Sequence, residues 1–333
     1  MAAPQDPSVL IKVRDLNVIY SSRLGPVNAV SGVSLDIYRG EILGLVGESG
    51  SGKSTLGKAL MRMLPKSAGL EGEILFDGED VLGYDDRQLR DFRGRHISMI
   101  FQDPMTSLNP VQQVGGHLTE AIEVHEGKGS KAGLRERIGQ LVERLGIQRS
   151  RLDDYPHQLS GGMRQRVMVG LGLALNPDLI IADEATTSLD VIVEAKLLDQ
   201  MREIRDQLQI SILLITHNIG LVAELADRVA VMYAGRIVEV GSVYEVFEKP
   251  LHPYSVGLLS SVPNIELGER EQLYKMPGEP PNLLLPPPGC RFHPRCPKVM
   301  PICCKVEPAL LSVDGSHMVH CWLFQDHPEV VEA

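Results

Sequence analysis

A glycine-rich segment that ends in lysine and serine directly follows an apolar run. Residues 47–55 read GESGSGKST and satisfy the spacing G-x-x-x-x-G-K-[ST]. Glycines let such a loop turn successive backbone N–H groups inward at the start of a helix, which makes a nest for phosphate. We therefore expect Lys53 to reach the β- and γ-phosphates of a nucleotide and the Ser54 hydroxyl to ligate Mg²⁺. The alternative, a glycine-rich turn that binds nothing, does not explain the lysine–serine pair. The residues expected to contact the nucleotide in this phosphate loop are Gly47, Ser49, Gly50, Ser51, Gly52, Lys53, Ser54 and Thr55.

Two carboxylates follow a second apolar run, residues 179–182. Open α/β sheets bind ligands beyond the carboxyl ends of their strands, which is where Asp183 and Glu184 are expected. Asp183 suits a role on Mg²⁺, and Glu184 suits a general base that polarises the attacking water. A solvated strand end or a helix cap is the alternative for this pair. Its occurrence together with the phosphate loop favours magnesium–nucleotide chemistry.

An alternation of apolar runs and helical patterns must position these residues. Strands are predicted at residues 41–46, 96–101, 179–182, 210–215 and 228–232. Helices are predicted at residues 53–64, 161–175 and 191–207, and the segment from about 111 to 159 is predicted to be a helical insertion. Strands that are apolar throughout and alternate with helices indicate an α/β domain with a largely parallel sheet.

Composition and charge limit the classes of function. The chain has 333 residues, 43% of them hydrophobic, and a formal net charge of −10, so no chain-wide basic field exists to hold a nucleic acid. The first ten residues do not read as a secretion signal, and no apolar stretch approaches membrane-spanning length. We expect a chain that neither spans a membrane nor is exported, and therefore thiols that stay reduced.

The motif set as a whole resembles the ATP-binding cassette (ABC) family of transporter ATPases. Residues 159–166 read LSGGMRQR, similar to the family's signature segment, in which Ser160, Gly161 and Gly162 begin a helix. Further positions are similar to family motifs: Gln102 to the Q-loop glutamine, residues 188–190 with Asp190 to the D-loop, His217 to the switch histidine, and Tyr20 to the aromatic residue that stacks on adenine. Each is weak alone, but they occur in the family's order.

This resemblance implies a fold and a mechanism. It implies an α/β P-loop NTPase domain over residues 1–250, with a parallel-sheet core, an antiparallel β subdomain and a helical subdomain at about 111–175. A small irregular extension is expected over residues 251–333. It also implies that Mg²⁺ is held through Ser54, Gln102 and Asp183, and that Glu184, His217, Gln102 and Lys53 serve hydrolysis. ATP is expected to lie between the phosphate loop of one subunit and residues 160–162 of the other in a head-to-tail dimer.

Two phrases are similar to one branch of the family, the oligopeptide, dipeptide and nickel importers. They are IFQDPMTSLNP at residues 100–110 and HPYS at residues 252–255. The branch implies a second ABC ATPase subunit, expected to be a different chain, two transmembrane permease subunits and an extracytoplasmic solute-binding protein. This chain is expected to be peripheral, on the cytoplasmic side of the cell membrane. The expected cargo is peptide, with nickel chelates or oligosaccharides as alternatives.

All five cysteines fall in the last 44 residues, after a segment (277–289) in which six of thirteen residues are proline. Four of them, Cys290, Cys296, Cys303 and Cys321, are spaced x5, x6 and x17 apart, and Cys304 is left over. The phrase GCRFHPRCP at 289–297 resembles the tail of dipeptide-importer ATPases, some of which carry a [4Fe–4S] cluster. We expect such a cluster on the four cysteines. Zinc, with His293, His317 or His320 available, and free structural thiols are the alternatives.

Non-transport ABC ATPases are a rival class. DNA-repair members need a long coiled-coil insertion, yet only 57 residues separate Gln102 from Ser160 and no heptad run appears. Translation-factor members normally carry two cassettes, whereas this chain has one phosphate loop. Both classes also need a basic nucleic-acid surface. The favoured hypothesis is therefore transport without a nucleic-acid partner.

Overall fold

The computed structural model describes residues 8–101, 107–184, 191–261 and 276–326. It contains two compact units, which we describe separately. Of the described residues, the first unit holds 8, 38–41, 83–101, 107–184 and 191–214, and the second unit holds 9–37, 42–82, 215–261 and 276–326. The predicted domain boundary at residue 250 stays a prediction.

The described strands and helices are as follows. The strands are β1 (Val9–Ser22), β2 (Gly25–Tyr38), β3 (Ile42–Val46), β4 (Ala68–Phe76), β5 (Glu79–Asp80), β6 (Ile97–Ile100), β7 (Leu179–Asp183), β8 (Ser211–Ile215), β9 (Arg228–Tyr233), β10 (Arg236–Ser242), β11 (Leu311–Asp314) and β12 (His317–Val319). The α-helices are α1 (Lys53–Leu60), α2 (Asp86–Asp91), α3 (Val114–Glu126), α4 (Lys131–Arg144), α5 (Gly161–Leu173), α6 (Val191–Leu208), α7 (Ile219–Leu225), α8 (Val243–Glu248) and α9 (Pro253–Leu259).

One sheet of the second unit is antiparallel, with strand order β2-β1-β4-β5. In β1, apolar side chains such as Ile11, Val13 and Val18 are buried while several of their neighbours are exposed, which is the alternation of a sheet with one covered face. β1 pairs with β4 from Ile11 opposite Phe76 onwards. This sheet is the antiparallel β subdomain that the family resemblance implies.

The other strands of the second unit follow the order β11-β12-β10-β9-β3. β3 and β9 are parallel and fully or nearly fully buried, as their continuous apolar sequences predict. β9 and β10 form an antiparallel pair, and β12 adds to β10 with Glu239 opposite Val319. Two short strands of the C-terminal extension thus extend the sheet from which the phosphate loop emerges. Neither they nor β10 was predicted from the sequence.

The first unit carries strands in the order β8-β7-β6, with β6 and β7 parallel. Helices α3, α4 and α5 lie within the predicted helical subdomain. α3 and α4 bury one apolar face each, including Leu118 and Val142, whereas α5 is buried on all sides from Val167 to Val169. The five predicted strands are confirmed to within a residue or two at their ends. None of the described helices combines the length and apolar character needed to cross a bilayer.

The three predicted helices end at or near the predicted residues, and each end has a backbone cause. α1 stops at Leu60, four residues early, because Arg62 adopts a φ of 51°. Asn176 (φ 50°) follows α5, and Gln209 (φ 56°) follows α6. A residue in this left-handed region cannot continue a right-handed helix, and it commonly terminates one.

Candidate nucleotide site

The phosphate loop (residues 47–55) connects the buried strand β3 to helix α1. Gly52, with a φ of 104°, is the N-cap of α1, and Gly47 has a φ of 152°. A Cβ atom on Gly47 would lie 2.0 Å from the carbonyl oxygen of Met232, and one on Gly52 would lie 2.3 Å from that of Ala29. Both positions accept only glycine, for conformational and for steric reasons. A glycine N-cap also carries no side-chain oxygen for the first amides of α1.

Lys53 supplies a buried positive charge beneath this loop. Its side chain is only 5% exposed, and its Nζ donates to the carbonyl oxygens of Gly47 (2.8 Å) and Glu48 (3.0 Å). The buried Oγ of Ser51 makes no hydrogen bond among the described residues. Backbone amides at a helix start, an ammonium group and an unpartnered hydroxyl form a site whose chemistry fits the phosphates of a nucleotide. The Ser54 hydroxyl, on the first turn of α1, would be a candidate ligand for a magnesium ion that accompanied such phosphates.

Two residues that were not predicted to belong to the site contact the phosphate loop through Glu48. The hydroxyl oxygen of Tyr254, on α9, accepts a hydrogen bond from the Glu48 N–H (2.9 Å). The guanidinium of Arg295 donates two hydrogen bonds to the Glu48 carboxylate, at 2.8 and 3.0 Å. Both partners come from the C-terminal extension. Both lie in phrases that resemble the importer branch, but no local pattern links them to Glu48, from which 206 and 247 positions separate them.

The carboxylate pair lies at the end of β7 in the first unit. Asp183 is the last residue of this strand and is 7% exposed. Glu184 follows it, half-buried, with a φ of 46°. A non-glycine residue with positive φ carries a backbone cost of about 1–3 kcal/mol, and such residues are concentrated at functional sites. The predicted general base is therefore one of seven described non-glycine residues with a positive φ.

The signature segment begins α5, also in the first unit. Ser160 is the N-cap, and its hydroxyl accepts from the Met163 N–H at 3.3 Å. Ser160 and Gly161 are exposed, and a Cβ on Gly161 would meet no atom within 4 Å. Arg164 donates to the carbonyl oxygens of Pro156 and Leu159 and so supports the turn before the helix. The start of α5 is thus exposed at Ser160 and Gly161, while the Met163 and Arg164 amides are bonded to Ser160.

The remaining predicted site residues are distributed as follows. Tyr20 is half-buried on β1, and His217 is exposed in the loop between β8 and α7, both in the second unit with the phosphate loop. Gln102 and Asp190 lie outside the described residues. The roles assigned to these four side chains remain predictions.

The cysteine segment (residues 290–321) brings four thiols into electrostatic range of one another. Burial raises the pKa of Cys290 to about 12, and the neighbouring Cys303, Cys321 and Cys296 contribute to the rise. Burial likewise raises the pKa of Cys321 to about 11, with Cys296 and Cys303 contributing. Cys304 is exposed. The four thiols that the spacing grouped are therefore neighbours. Among the described residues, however, no three His, Cys, Asp or Glu side chains are placed as ligands of a metal ion.

Comparisons with known proteins place this arrangement in a family. A family model described as "ABC transporter" matches residues 30–187, and one described as "Oligopeptide/dipeptide transporter, C-terminal region" matches residues 238–303. The oligopeptide transport ATP-binding protein OppD of Bacillus subtilis is 45% identical over 324 residues, which cover 96% of this chain and 90% of that protein. This chain belongs to the family of oligopeptide and dipeptide transport ATP-binding proteins.

Further relatives and solved structures agree with this membership. The dipeptide transport ATP-binding protein DppD of Bacillus subtilis is 45% identical, with 96% of each chain covered. OppD of Salmonella typhimurium is 45% identical over 92% of this chain and 91% of its own. The dimeric structure of MJ0796, a bacterial ABC transporter cassette, superposes with a TM-score of 0.63 at 26% identity over 70% of this chain and 98% of its own. The structure of CbiO1 from Clostridium perfringens superposes with a TM-score of 0.63 at 30% identity, over 73% of this chain and 92% of its own. The fold is that of an ABC ATPase cassette.

Proposed function

We propose that this chain is the ATP-hydrolysing subunit that energises import of dipeptides and oligopeptides across the cytoplasmic membrane. The observation that carries the proposal is the 45% identity to peptide transport ATP-binding proteins, which extends over 96% of the chain and includes its C-terminal region. The same motor can also drive uptake of nickel chelates or oligosaccharides, because the cargo is selected by other subunits of such a machine.

In this proposal the phosphate loop holds ATP. Lys53 and the amides of residues 47–55 bind the phosphates, and Tyr20 stacks on adenine. Ser54, Gln102 and Asp183 hold Mg²⁺, which offsets negative charge on the β- and γ-phosphates. Two features of the loop support this assignment: the buried Lys53 ammonium, which donates to the Gly47 carbonyl oxygen, and the Ser51 hydroxyl, which makes no hydrogen bond among the described residues.

Glu184 polarises the attacking water, and His217 and Gln102 assist around the γ-phosphate. Residues 160–162 and Asp190 face the nucleotide held by a second ATPase subunit, for which the open N-terminus of α5 is suited. Binding of ATP then closes the two subunits, because only the triphosphate reaches both surfaces, and hydrolysis reopens them.

The proposed assembly contains a second, different ABC ATPase, two transmembrane permease subunits and an extracytoplasmic solute-binding protein. This chain binds the permeases from the cytoplasmic side of the membrane as a peripheral subunit. Its relatives are named as ATP-binding proteins of oligopeptide and dipeptide transport, which supports partners of this kind.

The proposal is tested by Glu184→Gln in the full chain, with Glu203→Gln, an exposed carboxylate on α6, as the matched control. We expect Glu184→Gln to bind Mg–ATP as the parent does while its turnover falls roughly 10²- to 10⁴-fold, the usual contribution of a general base. We expect Glu203→Gln to hydrolyse ATP at the parental rate. Substantial hydrolysis by Glu184→Gln would show that another group activates water. A parent chain that fails to bind ATP would refute the proposal itself.

For the cysteine segment we propose a [4Fe–4S] centre on Cys290, Cys296, Cys303 and Cys321, with zinc as the alternative. Four interacting thiols are a sufficient ligand set, although the described side chains do not form a closed ligand group. Because burial raises the pKa of Cys290, Cys296 and Cys321, metal binding must release protons and must weaken as the pH falls.

Anaerobic purification followed by iron, zinc and sulfide analysis tests this centre. We expect iron and sulfide in the parent and in Cys304→Ser, and their loss in Cys290→Ser. Zinc without iron would support the alternative. A metal-free parent with unaltered thiols would show that they are structural.

A further inference from the structure

The predicted phosphate loop carries a carboxylate. Glu48 is the second residue of this loop, directly after Gly47, whose φ is 152°. Its negative charge opposes the binding of a triphosphate, in a chain whose net charge is already −10. Lys53 does not pair with this carboxylate, because its Nζ donates to the carbonyl oxygens of Gly47 and Glu48. A positive charge that offsets Glu48 must therefore come from outside the loop.

Arg295 supplies that charge from the cysteine segment. Its side chain is 6% exposed, whereas that of Glu48 is 25% exposed, and the two form a bidentate pair. Arg295 also donates to the hydroxyl of Tyr233 (3.2 Å) and, through Nε, to the carbonyl oxygen of Pro277 (2.8 Å). Burial alone lowers the pKa of Arg295, but its hydrogen bonds to Glu48 and Tyr233 raise it overall, so the group stays charged. A bidentate pair fixes direction as well as distance.

The same residue of the loop is fixed through its backbone. Tyr254 accepts from the Glu48 N–H, while the Glu48 carbonyl accepts from Lys53 Nζ at 3.0 Å and from the Ser51 N–H at 3.2 Å. The position of residue 48 therefore helps to set the position of the Lys53 ammonium. Tyr254 packs against Tyr233, with 4.5 Å between ring centroids, so both supports of Glu48 stand on one aromatic cluster.

We propose that Arg295 is a positioning residue of the ATP site: by pairing with Glu48 it neutralises the carboxylate of the phosphate loop and holds the loop in its phosphate-binding form. This inference rests on the proposed ATPase function. It makes the cysteine segment part of the nucleotide site, since Arg295 directly precedes Cys296 in the short turn His293–Arg295.

Equilibrium titration of the full chain with Mg–ATP tests the proposal. We expect Arg295→Gln to weaken binding roughly tenfold, because it exposes the phosphates to an unpaired carboxylate and releases the loop. We expect Glu48→Gln to weaken Mg–ATP binding only about twofold to threefold. This variant loses the Arg295–Glu48 pair, but it also removes the negative charge of the carboxylate. The double variant should bind like Glu48→Gln. Arg295→Lys, which keeps the charge without the bidentate geometry, should lie between the parent and Arg295→Gln.

The recovery in the double variant separates positioning from stability. If Arg295 were merely structural, adding Glu48→Gln would not restore affinity, and this outcome would overturn the proposal, as would parental affinity in Arg295→Gln. Glu307→Gln is the matched control: it breaks an ion pair between the extension and Arg236 in which no side chain of the loop takes part, and it should leave affinity unchanged. If Arg295→Gln does not fold, the charge-swapped double variant Glu48→Arg with Arg295→Glu tests the proposal instead. It should bind ATP more tightly than Arg295→Glu alone, and equal or weaker binding would overturn the proposal. Failure of the parent to bind ATP contradicts the proposed function instead.

Discussion

The phosphate loop and the cysteine segment belong to the same compact unit but are built by opposite means. The loop depends on backbone: glycines with positive φ, carbonyl oxygens that hold Lys53, and amides at a helix start. The cysteine segment depends on side chains: buried thiols, an aromatic cluster and the Arg295 guanidinium, joined by short turns. The loop is therefore specified by neighbouring residues, whereas the segment is specified by distant ones.

The difference teaches where each region is vulnerable. The backbone of the loop is disrupted when a Cβ is added at Gly47 or Gly52, because carbonyl oxygens lie against both residues. A region held by buried polar and titratable groups fails when their protonation or their partners change. Glu48 connects the two regions, because it is a residue of the phosphate loop whose carboxylate pairs with Arg295 of the cysteine segment.

The largest expected effect concerns the backbone of the loop, in Gly47→Ala. The added Cβ would lie 2.0 Å from the Met232 carbonyl oxygen, so we expect the free energy of unfolding to fall by more than about 3 kcal/mol and ATP binding to be lost. Gly50→Ala is the matched control, because its φ is also positive (76°) but its Cβ meets no atom within 4 Å. It should cost only about 1–2 kcal/mol. Urea unfolding of both variants measures the contrast, and equal costs would mean that conformation alone, not space, restricts the loop.

A smaller effect is expected from protonation beneath the cysteine segment. His252 is buried against Phe292 (ring centroids 5.7 Å apart), and its Nδ1 accepts from the Tyr254 N–H. Burial, aided by His320, lowers the pKa of His252 to about 3 from 6.5. Below pH 6.5 the unfolded chain therefore binds a proton that the folded chain refuses, so stability falls as the pH falls from 6.5 towards 3. The loss is about 1.4 kcal/mol per pH unit, or about 2 kcal/mol between pH 7 and pH 5.

The variant His252→Asn keeps an N-cap acceptor and removes the titrating ring. Urea unfolding at pH 7 and pH 5 should show that its acid sensitivity is smaller than that of the parent. The pH response of His320, whose pKa burial lowers to about 4, should persist in the variant. An unchanged difference between the two pH values would show that His252 is not what makes this region acid-sensitive.

The smallest effect is expected at the junction of the two regions, in Tyr254→Phe. The change removes the hydroxyl that accepts from the Glu48 N–H and leaves the ring packing in place. We expect a loss of about 1 kcal/mol in the free energy of unfolding, the ordinary contribution of one hydrogen bond. Tyr244→Phe, an exposed tyrosine on α8, is the control and should be neutral. A neutral Tyr254→Phe would mean that water replaces the hydroxyl and that the junction rests on Arg295.

The parts of the molecule that the sequence revealed are those with local causes. Strands β3, β6, β7, β8 and β9 are continuous apolar runs, and the phosphate loop is a short motif at the end of one of them. Burial on both faces and glycine-only geometry leave marks within a few residues, so the strands and the loop were predicted close to where they lie.

The parts that escaped prediction have distant causes. β12 was missed because three residues with mixed burial become a strand only by pairing with β10. The positive φ of Glu184 has no signal in its residue type, since glutamate does not favour that conformation. The pairs that fix Glu48 join residues 206 and 247 positions apart, and no local pattern encodes them.

The central claim, that the C-terminal extension holds the phosphate loop, is tested most directly by hydrogen–deuterium exchange of the full chain without nucleotide. The comparison is between the parent, Arg295→Gln and the control Glu307→Gln, observed in peptides that cover residues 47–55. We predict faster exchange of the loop amides in Arg295→Gln, and parental exchange in Glu307→Gln. Parental exchange of the loop in Arg295→Gln would contradict the account, because the loop would then keep its form without the extension.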